Sequence, residues 1–193
     1  MPARRARTEE EQVTEDALTR LRAEIDRCPF HDLLRPQALH ADADAGTVRV
    51  GLPFRTELGI REDGDTFHGG VIASLADLAG HAAVAVRTGR VSPTIDLRID
   101  YLRAARGEAL VATATVLRAG RSIARVDVHI HDPGGALVAV ARGRSAPSPD
   151  PTPRPEAHQA AKRPLMGDSR RRLSTAGTWR SSTVGWYSAD STR

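Results

Sequence analysis

The chain has 193 residues and is 40% apolar, which is enough for one domain with a hydrophobic core. Its formal net charge of +4 at pH 7 comes from residues 151–193, which hold eight Lys and Arg side chains against three acids. The rest of the chain is close to neutral, so we expect no nucleic-acid binding.

The N-terminal segment is expected to be neither a secretory signal nor a membrane anchor. Its basic residues are followed by acids instead of an apolar stretch, and no segment of the sequence approaches the roughly 20 apolar residues of a membrane span. Cys28 is the single cysteine, which excludes an intramolecular disulfide and favours a reducing compartment. We therefore expect a cytoplasmic protein that binds no membrane.

Residues 9–27 form the first predicted element, an amphipathic helix. Its apolar residues recur at four-residue spacing: Val13, Ala17, Leu21 and Ile25. Pro29 is expected to end this helix, and a loop follows. Apolar and polar residues then alternate over residues 47–52, which predicts a half-buried strand that stops at Pro53.

The longest helical segment is predicted over residues 70–87. It is so poor in charge that it must be buried on most sides. One small sheet cannot cover so much apolar surface, which predicts that a second subunit covers the rest in a dimer. Small residues dominate it and suggest room for an apolar or aryl group: Ala73, Ala76, Ala79, Gly80, Ala82 and Ala83.

Beyond this helix the pattern changes to a period of two, which predicts strands near residues 94–100, 108–117, 125–131 and 137–141. The turn sequences at 118–121 and 132–135 are short, so the last three strands should form an antiparallel meander. One central helix wrapped by an antiparallel sheet is an α+β arrangement. The Pro-rich and aperiodic residues 148–193 are expected to be a disordered basic tail.

The most informative segment is His68-Gly69-Gly70, followed by a lone acid, Asp77, within the apolar helix. Glycines at a helix start leave backbone N–H groups uncovered, where the helix dipole favours negative charge. A lone acid in an apolar helix needs a partner or a task. Together they indicate an oxyanion site facing a carboxylate, which is suited to acyl transfer.

Two other arrangements are weaker. Ser74 and His81 could form a triad with Asp77, but no nucleophile-elbow sequence surrounds Ser74, and hydrogen bonding within the helix is the simpler interpretation. His129 and His131 share a strand face without a third nearby ligand, so we expect no metal site. No dinucleotide or phosphate-loop motif is present, and we expect no cofactor.

The chain resembles the PaaI-like hotdog-fold acyl-CoA thioesterases, named after the phenylacetate pathway, over about residues 28–146. The resemblance rests on the spacing of His68-Gly69-Gly70 and Asp77, and on three downstream segments: Pro93-Thr94-Ile95-Asp96-Leu97-Arg98-Ile99-Asp100-Tyr101-Leu102-Arg103, Gly120-Arg121 and Asp132-Pro133-Gly134-Gly135. With the periodicity and composition outside this region, it divides the chain into an N-terminal extension and helix (1–27), a hotdog thioesterase domain (28–147) and the tail (148–193).

The resemblance also implies roles for individual residues. Asp77 would be the general base or nucleophile, and the Gly69 N–H would hold the thioester oxygen, with Gly70 beside it at the substrate. His68 would shape this loop, and Thr94 would lie near the polar position that a partner subunit sends into the site. Many members carry Asn or Gln where this chain has Glu62, beside Asp63, so either Glu62 takes over that polar role or it faces solvent.

The implied substrate is an acyl-CoA, hydrolysed in a homodimer or homotetramer with the active site at the subunit interface. Arg103, Arg118 and Arg121 are candidates for the phosphates of coenzyme A. Two alternatives stay open: a non-catalytic hotdog module that binds acyl-CoA, and a hotdog hydratase or dehydratase. We favour medium-chain or aryl-acetyl groups as the acyl part.

Overall fold

The computed structural model describes residues 9–150, with side chains from Glu15 onward. Three α-helices and six strands follow one another, with one turn of 3-10 helix at Thr56–Leu58 between β2 and α3: α1 (Glu9–Asp26), α2 (Pro29–Leu34), β1 (Gln37–Asp42), β2 (Thr47–Pro53), α3 (Gly69–Thr88), β3 (Thr94–Tyr101), β4 (Ala109–Ala119), β5 (Ala124–His131) and β6 (Leu137–Ser145). Most of the predicted basic tail lies outside the described residues.

The strands form a single antiparallel sheet in the order β1-β2-β4-β5-β6-β3. The predicted meander β4-β5-β6 is confirmed, with a turn at 132–135 in which Gly135 adopts a φ of 81°. β3 comes before β4 in the chain but pairs only with β6 within the described part of the chain. This crossover makes β3 the strand at one edge of the sheet.

Helix α3 packs across one face of the sheet and is the central element of the fold. Its inner face is buried against alternating apolar residues of β4 and β5, and Gly80 sits so close to Val126 that a Cβ there would lie 3.2 Å from Cγ1. Helix α1 packs beside it through Ala17, Leu21 and Ile25. The predicted α+β hotdog architecture, with an N-terminal helix, is therefore confirmed.

Two elements were missed by the sequence analysis. Pro29 was expected to lead into a loop, but it begins α2, because the fixed φ of proline suits the first position of a helix. Strand β1 was also expected to be loop, since its sequence QALHAD lacks β-branched residues and buries only Ala41. Its pairing with β2 and its contact with α1 override that weak local preference.

Helix α3 also corrects the expectation that no segment approaches a membrane span. By length and composition it could cross a bilayer. However, 61% of its most apolar stretch of 18 residues is buried inside the protein, as in the core helix of a globular domain. The small residues that suggested space for an acyl group contribute to this packing, since Ala76, Ala79 and Gly80 are buried.

Candidate active site

The start of α3 is fixed by the residues just before it. Phe67 is buried and packs edge-on against Phe54 with ring centroids 5.0 Å apart, and the His68 N–H donates to the carbonyl of Leu58 at 2.8 Å. His68 is the N-cap, and its Nδ1 accepts the N–H of Gly70 at 3.0 Å. Because Nδ1 accepts, the ring hydrogen of neutral His68 lies on Nε2. His68 therefore shapes the helix start.

The two glycines after His68 have different roles. The N–H of Gly70 is occupied by His68, and a Cβ on Gly70 would lie 3.1 Å from Nδ1, so glycine lets the ring approach. Among the hydrogen bonds of residues 9–150, none uses the N–H of Gly69. The helix dipole favours negative charge at this point. The geometry thus offers one free amide for an oxyanion, at Gly69, while the N–H of Gly70 is engaged by His68.

Tyr101 is a site residue that the sequence analysis did not single out. Its hydroxyl donates to the carbonyl of Gly69 at 3.0 Å, and a Cβ at Gly69 would lie 3.8 Å from its ring. This contact ties the start of α3 to the end of β3. Tyr101 is the last residue of the alternating strand sequence and one of two tyrosines in the chain. These two features were the only indication in the sequence that it could be a site residue.

Asp77 is exposed on the face of α3 that borders β3. Its Oδ1 accepts a 2.7 Å hydrogen bond from the hydroxyl of Thr94. No other hydrogen bond or ion pair reaches this carboxylate within the described residues, so Oδ2 is available to a water or a substrate. The resemblance implied that Thr94 lies near the polar position that a partner subunit sends into the site; its contact with Asp77 is made within one chain.

Thr94 reaches Asp77 because of a bulge in β3. The register with β6 shifts between Thr94, which pairs with the buried Ser145, and Asp96, which pairs with the exposed Arg144. Thr94 consequently lies on the helix side and Asp96 on the outer side, where it forms an ion pair with Arg144. The sequence alternation had placed Thr94 and Asp96 on one face, which is wrong. Bulges of this kind often re-aim a side chain beside an active site.

Within one chain, Gly69 and Asp77 lie too far apart to act on the same thioester group. They are eight residues apart on α3, a separation of about 12 Å at 1.5 Å per residue. Tyr101 marks the Gly69 end and Thr94 the Asp77 end of the same edge strand. The two groups therefore lie at opposite ends of β3.

The remaining predicted residues are all exposed and lie apart. Glu62 lies in the loop between β2 and α3, without a hydrogen bond or ion pair among residues 9–150, and beside it Asp63 is 3.7 Å from Arg61. Arg118 and Arg121 flank the β4–β5 turn, at the Thr94 end of β3. Arg103 follows the other end of β3, about 23 Å away along the strand. A single phosphate cannot contact all three arginines of one chain.

A serine triad is excluded by the geometry. The hydroxyl of Ser74 donates back to the carbonyl of Gly70 at 2.9 Å, as serine does within helices. His81 instead contacts the carbonyl of Ser92 at 2.8 Å and Glu24 at 3.0 Å. Among residues 9–150 no three His, Cys, Asp or Glu side chains are placed to hold a metal ion.

Comparison with known proteins gives the family. The thioesterase superfamily matches residues 64–139. The "Putative esterase" of Halobacterium salinarum is 36% identical over 115 residues, which are 53% of this chain and 74% of that protein. The medium/long-chain acyl-CoA thioesterase YigI of Escherichia coli is 39% identical over 90 residues, but the chain spans only 57% of its length.

Solved structures agree with this assignment. A thioesterase superfamily protein that is 32% identical superposes with a TM-score of 0.64, covering 68% of this chain and 98% of that one. The PaaI protein of Escherichia coli, at 24% identity, shares the fold with a TM-score of 0.64 over 72% of this chain and 98% of its own. The chain therefore belongs to the thioesterase superfamily and is a thioester hydrolase with a hotdog fold.

Proposed function

We propose that the protein is a cytoplasmic acyl-CoA thioesterase that works as a homodimer, with Asp77 of one subunit and the Gly69 amide of the other at each site. The observation that carries this proposal is the position of the two groups at opposite ends of one edge strand. Similarity to YigI, which acts on acyl-CoA, supports the substrate class.

The edge strand provides the geometry for such a dimer. β3 is exposed along most of its length and includes the apolar side chains of Ile95 and Tyr101, which are 51% and 53% exposed. Antiparallel pairing of β3 with a second copy would set the Thr94 end of one subunit beside the Tyr101 end of the other. Asp77 would then lie beside Gly69 of the partner subunit, close enough to share one thioester.

The chemistry follows from the two groups. Asp77, held by Thr94, either takes a proton from a water that attacks the thioester carbon or attacks that carbon itself. The carbonyl oxygen becomes an anion and is stabilised by the Gly69 N–H, an interaction that can contribute about 3 kcal/mol. The carbon–sulfur bond then breaks, and the coenzyme A thiolate leaves with the electron pair. If Asp77 acts as base, the proton it has taken passes to the thiolate or to solvent and the free acid is released. If Asp77 attacks directly, the acyl group stays on its carboxylate as an anhydride, which a water then hydrolyses to the free acid.

The same pairing would bring the scattered arginines together. Arg103 of the partner subunit would approach the end of the sheet that carries Arg118 and Arg121. These guanidinium groups would then lie at one mouth of the site, where the phosphates of coenzyme A need cationic partners. For the acyl part we propose medium-chain or aryl-acetyl groups; similarity to YigI, a medium/long-chain acyl-CoA thioesterase, supports the medium-chain choice.

A thiol-release assay tests the proposal. Acetyl-, phenylacetyl-, decanoyl- and palmitoyl-CoA are offered to the full chain, with Asp77→Asn as the matched control. We expect turnover of at least one apolar acyl-CoA and its loss in the control. Binding of these compounds without thiol release would instead favour the non-catalytic module.

Light scattering tests the assembly independently. We expect a dimer or a dimer of dimers at micromolar concentration. A monomer with full activity would contradict the shared site.

A further inference from the structure

We infer that His81 is a positioning residue for the catalytic pair, because it joins the catalytic helix to the segment that carries Thr94. This inference rests on the proposed function, since it concerns the same site. His81 follows Asp77 by one helical turn, and Ser92, whose carbonyl it contacts, precedes Thr94 by two residues. Asp77–Thr94 and His81–Ser92 are thus two neighbouring ties between α3 and the start of β3.

The contact of His81 with Ser92 also holds Thr94 in place, because the backbone between Ser92 and Thr94 has little conformational freedom. Pro93 has a fixed φ, and the residue before a proline is restricted to extended conformations. The carbonyl of Pro93 also accepts the N–H of Ala146 at 2.8 Å, and Ser92 is fully buried. Fixing the Ser92 carbonyl therefore fixes the backbone from which the Thr94 hydroxyl reaches Asp77.

The ring of His81 is oriented by two charged side chains of α1. Its Nε2 lies 3.0 Å from Glu24 Oε2 and 2.8 Å from Arg27 Nη2, and Glu24 is only 4% exposed. Nδ1 carries a hydrogen, because the Ser92 carbonyl only accepts. With Nε2 unprotonated the ring accepts from Arg27, and with Nε2 protonated it donates to Glu24. The hydrogen bond to Ser92 is retained in both states.

A partly buried Glu–Arg–His cluster could also serve stability alone. Two substitutions separate the two roles. In His81→Asn the amide nitrogen can take the place of Nδ1 and still donate to Ser92, but contact with α1 is lost. In His81→Gln the longer side chain reaches the place of Nε2 and keeps contact with α1, but the bond to Ser92 is lost. Both variants disturb the cluster, and only one keeps the tie to β3.

The experiment measures kcat and KM of acyl-CoA hydrolysis per folded dimer for both variants, alone and with Thr94→Val. We expect His81→Gln to lower kcat at least about 10-fold, as a small misplacement of a catalytic group does, with KM within about 2-fold. His81→Asn should stay within about 3-fold of the unmodified kcat. In the Thr94→Val background His81→Gln should cost less than about 2-fold, because the contact that it positions is already gone.

Equal kcat values for the Asn and Gln variants would overturn the inference, as would the same loss with and without the Thr94 hydroxyl. If His81→Gln does not fold, His81→Leu replaces it, since leucine is of similar size and loses the contact with α1, as His81→Asn does, but also loses the bond to Ser92. A kcat for His81→Leu at least about 10-fold below that of His81→Asn, with the difference gone in the Thr94→Val background, supports the inference, and equal kcat values for these two variants overturn it. An unmodified protein that releases no thiol from any acyl-CoA contradicts the proposed function instead.

Discussion

Thr94 and Asp77 are 17 residues apart in the chain, and the hydroxyl of Thr94 donates a 2.7 Å hydrogen bond to Asp77 Oδ1. The bond holds one carboxylate oxygen and leaves the other to receive a proton or to attack. An exposed side chain on a helix surface would otherwise sample several rotamers. The contact thus selects one orientation of the group on which the proposed chemistry depends.

Removing the Thr94 hydroxyl should slow the reaction. A hydrogen bond to a charged group contributes about 1.5–3 kcal/mol, so Thr94→Val should lower kcat by about 10- to 100-fold with little change in KM. Thr94→Ser keeps the hydroxyl and serves as the control. The test measures kcat and KM of both variants by steady-state kinetics on one acyl-CoA. Equal kcat values for the two variants would show that the hydroxyl does not act on Asp77.

Asp77→Asn should reduce kcat by at least about 10²-fold, the low end for a positioned acid–base group. The fold should persist, because Asp77 is exposed in the single chain and Asn is nearly the same size. Glu62→Gln is the informative comparison. A modest effect would assign Glu62 a positioning role, whereas a loss as large as that of Asp77→Asn would make Glu62 the base.

Gly69→Pro should remove the oxyanion donor without breaking the helix. Proline is favoured at the first helical position, and His68 before it has a φ of −66° and a ψ of 139°, which suits the residue preceding a proline. We expect kcat to fall by about 10²- to 10³-fold. Gly69→Ala keeps the N–H, and its Cβ would make only ordinary contact with Tyr101. The alanine variant should therefore keep most of the activity, and equal losses in both variants would remove this amide from the mechanism.

Mixed dimers test whether the site is shared. Asp77→Asn and Gly69→Pro homodimers should both be nearly inactive. After unfolding and refolding together, half of the dimers are mixed, and each has one site with both groups intact, so about one quarter of the unmodified activity should return. A site built within one chain would carry one defect in every copy and would regain nothing.

The pH dependence of stability should reveal the cluster around Glu24. Burial acts to raise the pKa of this carboxyl, but the hydrogen bond with His81 and the charge of Arg27 outweigh it, so its pKa is lowered. Ionised Glu24 therefore stabilises the fold above its ordinary pKa of about 4.3, and this stabilisation is lost as the pH falls through the lowered pKa of the folded state.

Glu24→Gln should consequently lower the free energy of unfolding at pH 7 by about 2 kcal/mol, typical of a lost hydrogen bond to a buried charge. The difference from the unmodified protein should shrink in acid. Glu15→Gln, which breaks an exposed pair, should cost less than about 1 kcal/mol. Urea unfolding at neutral and acidic pH measures all three proteins, and a difference that does not change with pH would contradict the lowered pKa.

Local pattern was enough to predict the main elements. The apolar period and the glycines place α3 within one residue of its observed ends, and the alternation of Val126, Val128 and Ile130 gives the buried face of β5. These features depend on neighbours in the chain. The bulge at Thr94 does not, because it is set by the register with β6. For that reason the sequence predicted the segment that holds Thr94 but placed its side chain on the wrong face.

The same distinction applies to the site. His68, Gly69 and Asp77 stand out because each is unusual for its position in a helix. Tyr101 and Glu24 do not, since an aromatic residue in a strand and an acid in an amphipathic helix are common. Their contacts with Gly69 and His81 join residues 32 and 57 positions apart, which no local periodicity encodes.

The exposed edge of β3 has a consequence for the newly made chain. Its unpaired backbone groups can bind any extended peptide, and misassembly into larger aggregates begins at such edges. The alternating charges of Asp96, Arg98 and Asp100 on its outer face disfavour most wrong partners but match a second antiparallel copy, in which acid and base can meet. In the proposed dimer, pairing of β3 with β3 of a second copy would therefore complete the active site and also cover the edge at which aggregation would begin.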